Sequence, residues 1–174
     1  MNMKICRLRE WQLADASSLA EQADNFKIWL NLRDALPHPY TEEHARQFIS
    51  NAAAMPRPHR LMTIDVDGKA IGSIGITPHI DVERISAELG YFIGEKYWNR
   101  GITTEAIREM TAYAFNNFPL LKIYATPFGH NIASQRALQK AGFELEAILK
   151  RAAVKNGQVV DMHYYSIFKE EPGP

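Results

Sequence analysis

One stretch of the chain combines residue types that suit an anion. Trp98-Asn99-Arg100-Gly101-Ile102-Thr103-Thr104 lies between a strand-like run at 85–93 and a helix-like segment in which Ile107, Met110 and Ala114 recur at i, i+3 and i+7. Gly101 frees the backbone to turn, and Thr103 or Thr104 can cap the helix that follows. The first turn of a helix presents N–H groups without internal partners, together with the positive end of the helix dipole. A phosphate held by backbone amides and Arg100 is therefore one reading. A plain strand-to-helix connection is the other, and spacing alone leaves both open. No G-x-x-x-x-G-K-[ST] is present and no G-x-G-x-x-G opens a helix, so a P-loop and a dinucleotide fingerprint are excluded.

A second polar pair, Asn131 and Ser134, precedes an apolar face made by Ala133, Ala137, Leu138 and Ala141. Its spacing is that of a helix cap, with Asn131 at the cap and Ser134 at the third helical position, and capping alone accounts for both. Cys6 is the single cysteine, which rules out an internal disulfide and reads as a small buried hydrophobe on a first strand. The six histidines show no tight metal spacing, so surface or core roles are expected and no metal site.

The elements that must position these residues follow from local pattern. Residues 4–8 alternate as a first strand, and 15–23 read as a helix with Leu13, Ala16, Leu19 and Ala20 on one face. The segment 26–36 carries Trp29, Asn31 and Arg33 and stops at Pro37-His38-Pro39-Tyr40, after which Thr41 caps a helix ending near Met55-Pro56. Asp67-Gly68 between β-rich runs at 60–66 and 70–77 predicts a hairpin, with Gly72 and Gly75 marking a bulge or a close backbone approach. A strand at 84–93 leads to a helix at 104–117, a short buried strand at 122–126 and a helix at 132–141 closed by Gly142. Asn156-Gly157 joins strands at 146–155 and 159–168, and the tail from 170 is expected to fray.

Composition bounds the function. The 174 residues suit one domain, 1–174, and 46% hydrophobic content supports a sizeable core. Twenty Lys plus Arg balance twenty Asp plus Glu, so no global field draws nucleic acid or an anionic membrane. The first ten residues lack an apolar signal region and no window approaches eighteen apolar residues, from which a cytoplasmic location is expected.

Trp98-Asn99-Arg100-Gly101-Ile102-Thr103 resembles the [RQ]-x-x-G-x-[GA] pyrophosphate loop of the GNAT acetyltransferase superfamily. The run Ala87-Glu88-Leu89-Gly90-Tyr91-Phe92-Ile93, with Tyr97-Trp98 and Thr104-Glu105-Ala106, is similar to its RimJ/RimL-type branch. So is Asn131-x-x-Ser134 followed by Leu138-x-Lys140-Ala141-Gly142-Phe143. Two positions depart from the loop pattern: Trp98 stands for Arg or Gln, and Thr103 for a small residue. The resemblance extends from about residue 4 to 169. It implies an α+β fold in α/β/α layers, with a mixed, mostly antiparallel sheet whose fourth and fifth strands splay.

It also implies acetyl-CoA as acyl donor and a primary amine as acceptor, either a protein or peptide N-terminus or a small amine. A non-catalytic acyl-CoA-binding module is the reading from another class. The loop from Trp98 to Thr104 would hold the pyrophosphate, and Phe92 and Ile93 would offer backbone groups to the pantetheine arm. Asn131 would contact that arm, and Ser134 would lie near the sulfur. Glu88 would be the base, because an amine near its ordinary pKa is mostly protonated at neutral pH. Trp29, Asn31, Arg33 and Tyr40 would line the acceptor groove. Nothing in the residues chooses between monomer and homodimer.

Overall fold

The computed structural model describes residues 5–170. Lys4 of the expected first strand and the end of the expected frayed tail, 171–174, lie outside them.

A seven-stranded sheet runs in the order β1-β2-β3-β4-β5-β7-β6. Its strands are β1 (Arg7–Arg9), β2 (Leu61–Val66), β3 (Lys69–Pro78), β4 (Ser86–Ile93), β5 (Lys122–Ala125), β6 (Glu144–Lys155) and β7 (Gln158–Phe168). Neighbouring strands are antiparallel except β4 and β5, which are parallel. The helices are α1 (Ala16–Ala23), α2 (Phe26–Trp29), α3 (Glu42–Ala53), α4 (Ile102–Asn117) and α5 (Ile132–Lys140). Both hairpins form where Asp-Gly and Asn-Gly stand. Asp67 and Gly68 have φ of 52° and 83°, and Asn156 and Gly157 have 49° and 73°, the two positive values that a tight hairpin matching strand twist requires.

Period-two alternation sorts the sheet into two faces. Ile64, Ile74, Ile76, Ala87, Leu89 and Ile93 meet Ala106, Ile107 and Met110 of α4 and Leu138 of α5 in one core. On the opposite face Ala70 and Phe92 pack with Leu19 of α1 and Ala45 and Ile49 of α3. Burying each large side chain contributes about 1.5–3 kcal/mol, and the two cores together make the layered α/β/α arrangement.

Between Ile64↔Gly72 and Asp65↔Ala70 the register slips, so Ile71 is an extra, bulged residue. Gly72 beside it is where the backbones come closest, since a Cβ there would sit 2.3 Å from the Phe92 carbonyl oxygen. Both features anticipated from Gly72 and Gly75 are thus present.

Several boundaries differ from expectation. The segment after Asn25, whose side chain caps α2, forms only that single helical turn before the chain breaks into turns. α4 begins at Ile102 rather than 104 and no side chain caps it, so neither Thr103 nor Thr104 is a cap. Gly101 occupies the cap position with φ 77°, a left-handed conformation that glycine adopts freely.

Candidate active site

Two central strands part, and the side chains around the parting set the chemistry. β4 and β5 pair only over Ser86↔Lys122, Ala87↔Ile123 and Glu88↔Tyr124. β5 then ends at Ala125 while β4 continues to Ile93. The chain beyond β5 follows β7 instead: the His163 N–H donates to the Pro127 carbonyl and the Gly129 N–H to that of Asp161, both at 2.9 Å. The β5 side of β4 beyond the Glu88↔Tyr124 step is thereby left without a strand partner.

Which backbone groups face that gap follows from the β3–β4 ladder. The Gly94 N–H donates to the Ile71 carbonyl and the His79 N–H to that of Ser86, which makes Thr77–Glu88, Gly75–Gly90 and Ser73–Phe92 the hydrogen-bonded pairs. Phe92 spends both backbone groups on Ser73, so it cannot pair with a pantetheine arm; this corrects the expectation for Phe92. Leu89, Tyr91 and Ile93 turn theirs toward the β5 side. The Leu89 N–H is taken up by the Tyr124 carbonyl in the last step of the β4–β5 ladder, and the Ile93 carbonyl accepts the Trp98 indole N–H at 2.9 Å, which leaves the Leu89 carbonyl, both groups of Tyr91 and the Ile93 N–H along the edge. Trp98 acts here as a clamp closing the upper end of the strand.

Glu88 and Tyr91, three residues apart on a strand, project to opposite faces. On the face of α1–α3, Glu88 Oε1 accepts from the Arg33 guanidinium and, at 2.9 Å, from the Thr126 hydroxyl. Tyr124 lies beside it in register; burial and the Glu88 charge push its phenol up to about 12. His79 Nε2 contacts the Tyr124 hydroxyl at 2.6 Å, and the Tyr164 ring stacks on Tyr124 with centroids 4.5 Å apart. Next to Arg33, Asp34 is ion-paired at 2.7 Å to Lys155, whose Nζ lies 3.7 Å from the Trp29 ring centroid. The turn of the β6–β7 hairpin is anchored there.

On the face of α4 and α5, the Tyr91 hydroxyl meets Ser134 Oγ at 2.7 Å. Burial pushes the Tyr91 phenol well above its ordinary range, against a smaller lowering from Ser134. Ser134 is held by its own backbone, since its N–H donates to Asn131 Oδ1 at 3.2 Å. Gln135 ties that turn to β7 through Gly129, His163 and Tyr165. Asn131 is therefore the cap of α5, and Ser134 reaches the Tyr91 side chain.

The loop before α4 has the geometry expected of an anion cradle. Asn99 and Gly101 both take positive φ, 60° and 77°, turning the chain so that the Ile102, Thr103 and Thr104 N–H groups open the helix without a side-chain cap. The Arg100 guanidinium lies 5.6 Å over the Tyr97 ring. The Ile102 side chain is buried in the core and cannot itself meet a ligand.

Of the four residues expected in the acceptor groove, Arg33 reaches Glu88, whereas Trp29 packs against Phe26, His38 and Lys155. Asn31 Nδ2 donates to the Lys27 carbonyl. Tyr40 is 5% exposed among Trp11, Leu19 and Ile49, a core residue whose phenol burial pushes up to about 12, and its groove assignment is corrected. Sequence reasoning passed over Tyr91 and Thr126 as functional residues. Strand parity from Glu88 would have pointed to Tyr91, whereas Thr126 comes into reach only through the β4–β5 pairing. Among the described residues, no group of three or more His, Cys, Asp or Glu side chains is gathered to hold a metal.

A profile described as an acetyltransferase (GNAT) domain matches residues 6–144. The chain belongs to the GNAT acetyltransferase family. Among curated relatives, the uncharacterized N-acetyltransferase YoaA of Bacillus subtilis is 37% identical over 99 residues, covering 57% of this chain and 55% of that protein. The uncharacterized N-acetyltransferase p20 of Bacillus licheniformis is 27% identical over 171 residues, covering 94% and 93%. Among solved structures, Mycobacterium smegmatis RimJ in complex with CoA-disulfide superposes with a TM-score of 0.81 at 24% identity, covering 92% of this chain and 80% of that one. The likeness is one of fold, which in this chain includes the parallel β4–β5 pair. No helix among the described residues is long and apolar enough to cross a membrane.

Proposed function

We propose that this protein is an acetyl-CoA-dependent N-acetyltransferase whose acceptor is a primary amine, foremost the N-terminal α-amine of a protein or peptide. The observation that carries the reading is the unpartnered edge of β4, flanked by Glu88 on one face and by Tyr91 and Ser134 on the other. Backbone N–H groups of Tyr91 and Ile93 are donors in want of acceptors, and the uncapped start of α4 suits a pyrophosphate; both fit the donor that the family uses. Bound there, acetyl-CoA supplies an activated acetyl group.

The residues then divide the work. Glu88 accepts the proton of the attacking amine, directly or through water, after the amine displaces Arg33 from its carboxylate. Backbone N–H groups of the β4 edge are placed to hold the carbonyl oxygen as charge develops on it. Ser134 donates a hydrogen bond to the departing sulfur. The carbon–nitrogen bond forms as the carbon–sulfur bond breaks, its electron pair going to sulfur and the amine proton to Glu88. Base and leaving-group partner thus sit on opposite sides of one strand, matching acceptor and donor approaching from opposite faces.

The N-terminal amine is supported by the fold likeness to RimJ and by the openness of the rim. The Arg33 and Glu88 side chains are 60% and 29% exposed, room for the end of a chain. A small amine bearing a carboxylate is the second reading, favoured by the same ion pair: a zwitterion inserted between Arg33 and Glu88 would satisfy both charges it separates. The test is thiol release from acetyl-CoA, with mass spectrometry of products, across peptide N-termini, lysine peptides, free amino acids, polyamines and aminoglycosides. Turnover confined to peptide N-termini is the expected result. Turnover of free amino acids alone would overturn that acceptor, and acetyl-CoA binding without turnover on any amine would favour a binding module.

A further inference from the structure

We propose that Tyr91 is a positioning residue for Ser134: its phenol donates its proton to Ser134 Oγ, so the serine's own hydroxyl proton is left to point at the leaving sulfur. The inference rests on the acetyl-transfer reading above and deepens it.

The sense of the Tyr91–Ser134 hydrogen bond decides whether Ser134 is useful. A serine hydroxyl has one proton and a phenol has one, and the two oxygens lie 2.7 Å apart. Were Ser134 the donor, its proton would be spent on Tyr91, and the phenol proton would need another acceptor. Tyr91 packs against the α4–α5 core, where an unsatisfied hydroxyl is costly. Ser134 Oγ is the partner the structure provides. With Tyr91 as donor, Ser134 accepts through a lone pair and keeps its proton. Its backbone is fixed by Asn131, and the helix beyond by Gln135, so little is left to rotate except that O–H. Tyr91 also turns its own backbone groups to the gap, placing this hydroxyl pair along the strand edge assigned to the pantetheine arm.

Tyr91 does not give up its proton in this scheme. Burial holds the phenol in its protonated form, so Tyr91 orients and polarises Ser134 while the sulfur leaves as a hydrogen-bonded thiolate. Sulfur then takes its proton from solvent.

The test uses the full chain with CoA itself as probe. The bound thiol is titrated by its ultraviolet thiolate absorbance in wild type, Y91F, S134A and S134T. In wild type the bound thiol should ionise at lower pH than free CoA. Y91F should lower the thiolate fraction at fixed pH by about three- to tenfold and S134A by about tenfold, the scale of losing a hydrogen bond to a charged group. S134T, which keeps a hydroxyl on the same backbone, should resemble wild type. In turnover, Y91F should lose about tenfold in kcat with KM for acetyl-CoA within about twofold, and Y91F/S134A should be no slower than S134A. Identical titration in wild type and Y91F would overturn the proposal, as would a double mutant whose loss is the product of the single losses. S134T titrating like S134A would overturn it too, and that arm leaves Tyr91 in place. Failure of wild type to bind CoA would defeat the acetyl-transfer reading itself, and this proposal with it; binding with an unshifted titration would defeat this proposal alone.

Discussion

Glu88→Gln separates chemistry from structure at the proposed base. The substitution keeps the length and the Oε1 acceptor that Arg33 and Thr126 use, and removes the negative charge and the ability to take a proton. Its structural cost is bounded by exposure. With side chains 60% and 29% exposed, the Arg33–Glu88 pair is an open ion pair, worth about 0–1 kcal/mol, and the Thr126 hydrogen bond survives. For a chain of this length that is a shift of at most about 4 °C in thermal midpoint. Removing a general base, by contrast, costs about 10²–10⁴-fold in rate. The two effects differ enough in scale to be told apart.

The assay is initial-rate thiol release at saturating acetyl-CoA with the acceptor identified by the panel, accompanied by a thermal melt and an acetyl-CoA binding isotherm. The expected outcome is at least about a hundredfold loss in kcat/KM for the amine, with acetyl-CoA affinity within about threefold. A variant retaining a third or more of the wild-type rate would refute Glu88 as base. The proton would then have to leave by water alone or by another group on that face, such as the Tyr124–His79 pair.

Other outcomes follow from single features. Gly101→Asp places a side chain at φ 77° and a negative charge at the start of α4, so acetyl-CoA affinity should fall at least about tenfold with kcat at saturation little changed; an unchanged isotherm would remove the loop from the donor site. Gly72→Ala sets a Cβ 2.3 Å from the Phe92 carbonyl oxygen, a backbone atom that cannot swing aside, and should cost about 1–3 kcal/mol, read as a lower thermal midpoint.

Stability should also fall in acid through Arg9, which bridges Asp15 and Asp65 at 2.8 and 2.7 Å. Burial pushes both carboxyls up, but hydrogen bonds and charge from Arg9 reverse this and leave both lowered. Their folded forms bind protons less readily than the unfolded chain. Their contribution is therefore present above about pH 5 and lost as pH falls through and below the ordinary value of about 3.9. Melts across that range should show the decline in wild type, with a lower and flatter curve in Arg9→Ala. A parallel curve would refute the assignment.

Local chemistry carried much of the fold into the sequence. Asp67-Gly68 and Asn156-Gly157 specify hairpins because few residues accept two consecutive positive φ values, and both hairpins formed. Helical periodicity, with caps at Thr41 and Asn131, placed α3 and α5 within a residue or two. Propensity misplaced the start of α4, because the two threonines looked like caps while the left-handed glycine before them had already turned the chain.

The site was legible to a different degree. Motif resemblance singled out the loop before α4, Glu88 and Ser134 as candidates, because each lies in a short run of neighbouring residues. Tertiary structure decided what those residues touch. Phe92 lost its expected role because ladder parity, set by pairing with a distant strand, turns its backbone toward Ser73. Tyr40 went to the core because α1 and α3 close over it. Arg33 and Thr126 reached Glu88 across 55 and 38 residues of chain, and Tyr91 reached Ser134 across 43. The sequence by itself determined which elements form and where the backbone can turn, since those depend on neighbours a few residues away. Only the folded sheet, by parting β4 from β5, decided which edge stands open and which side chains flank it.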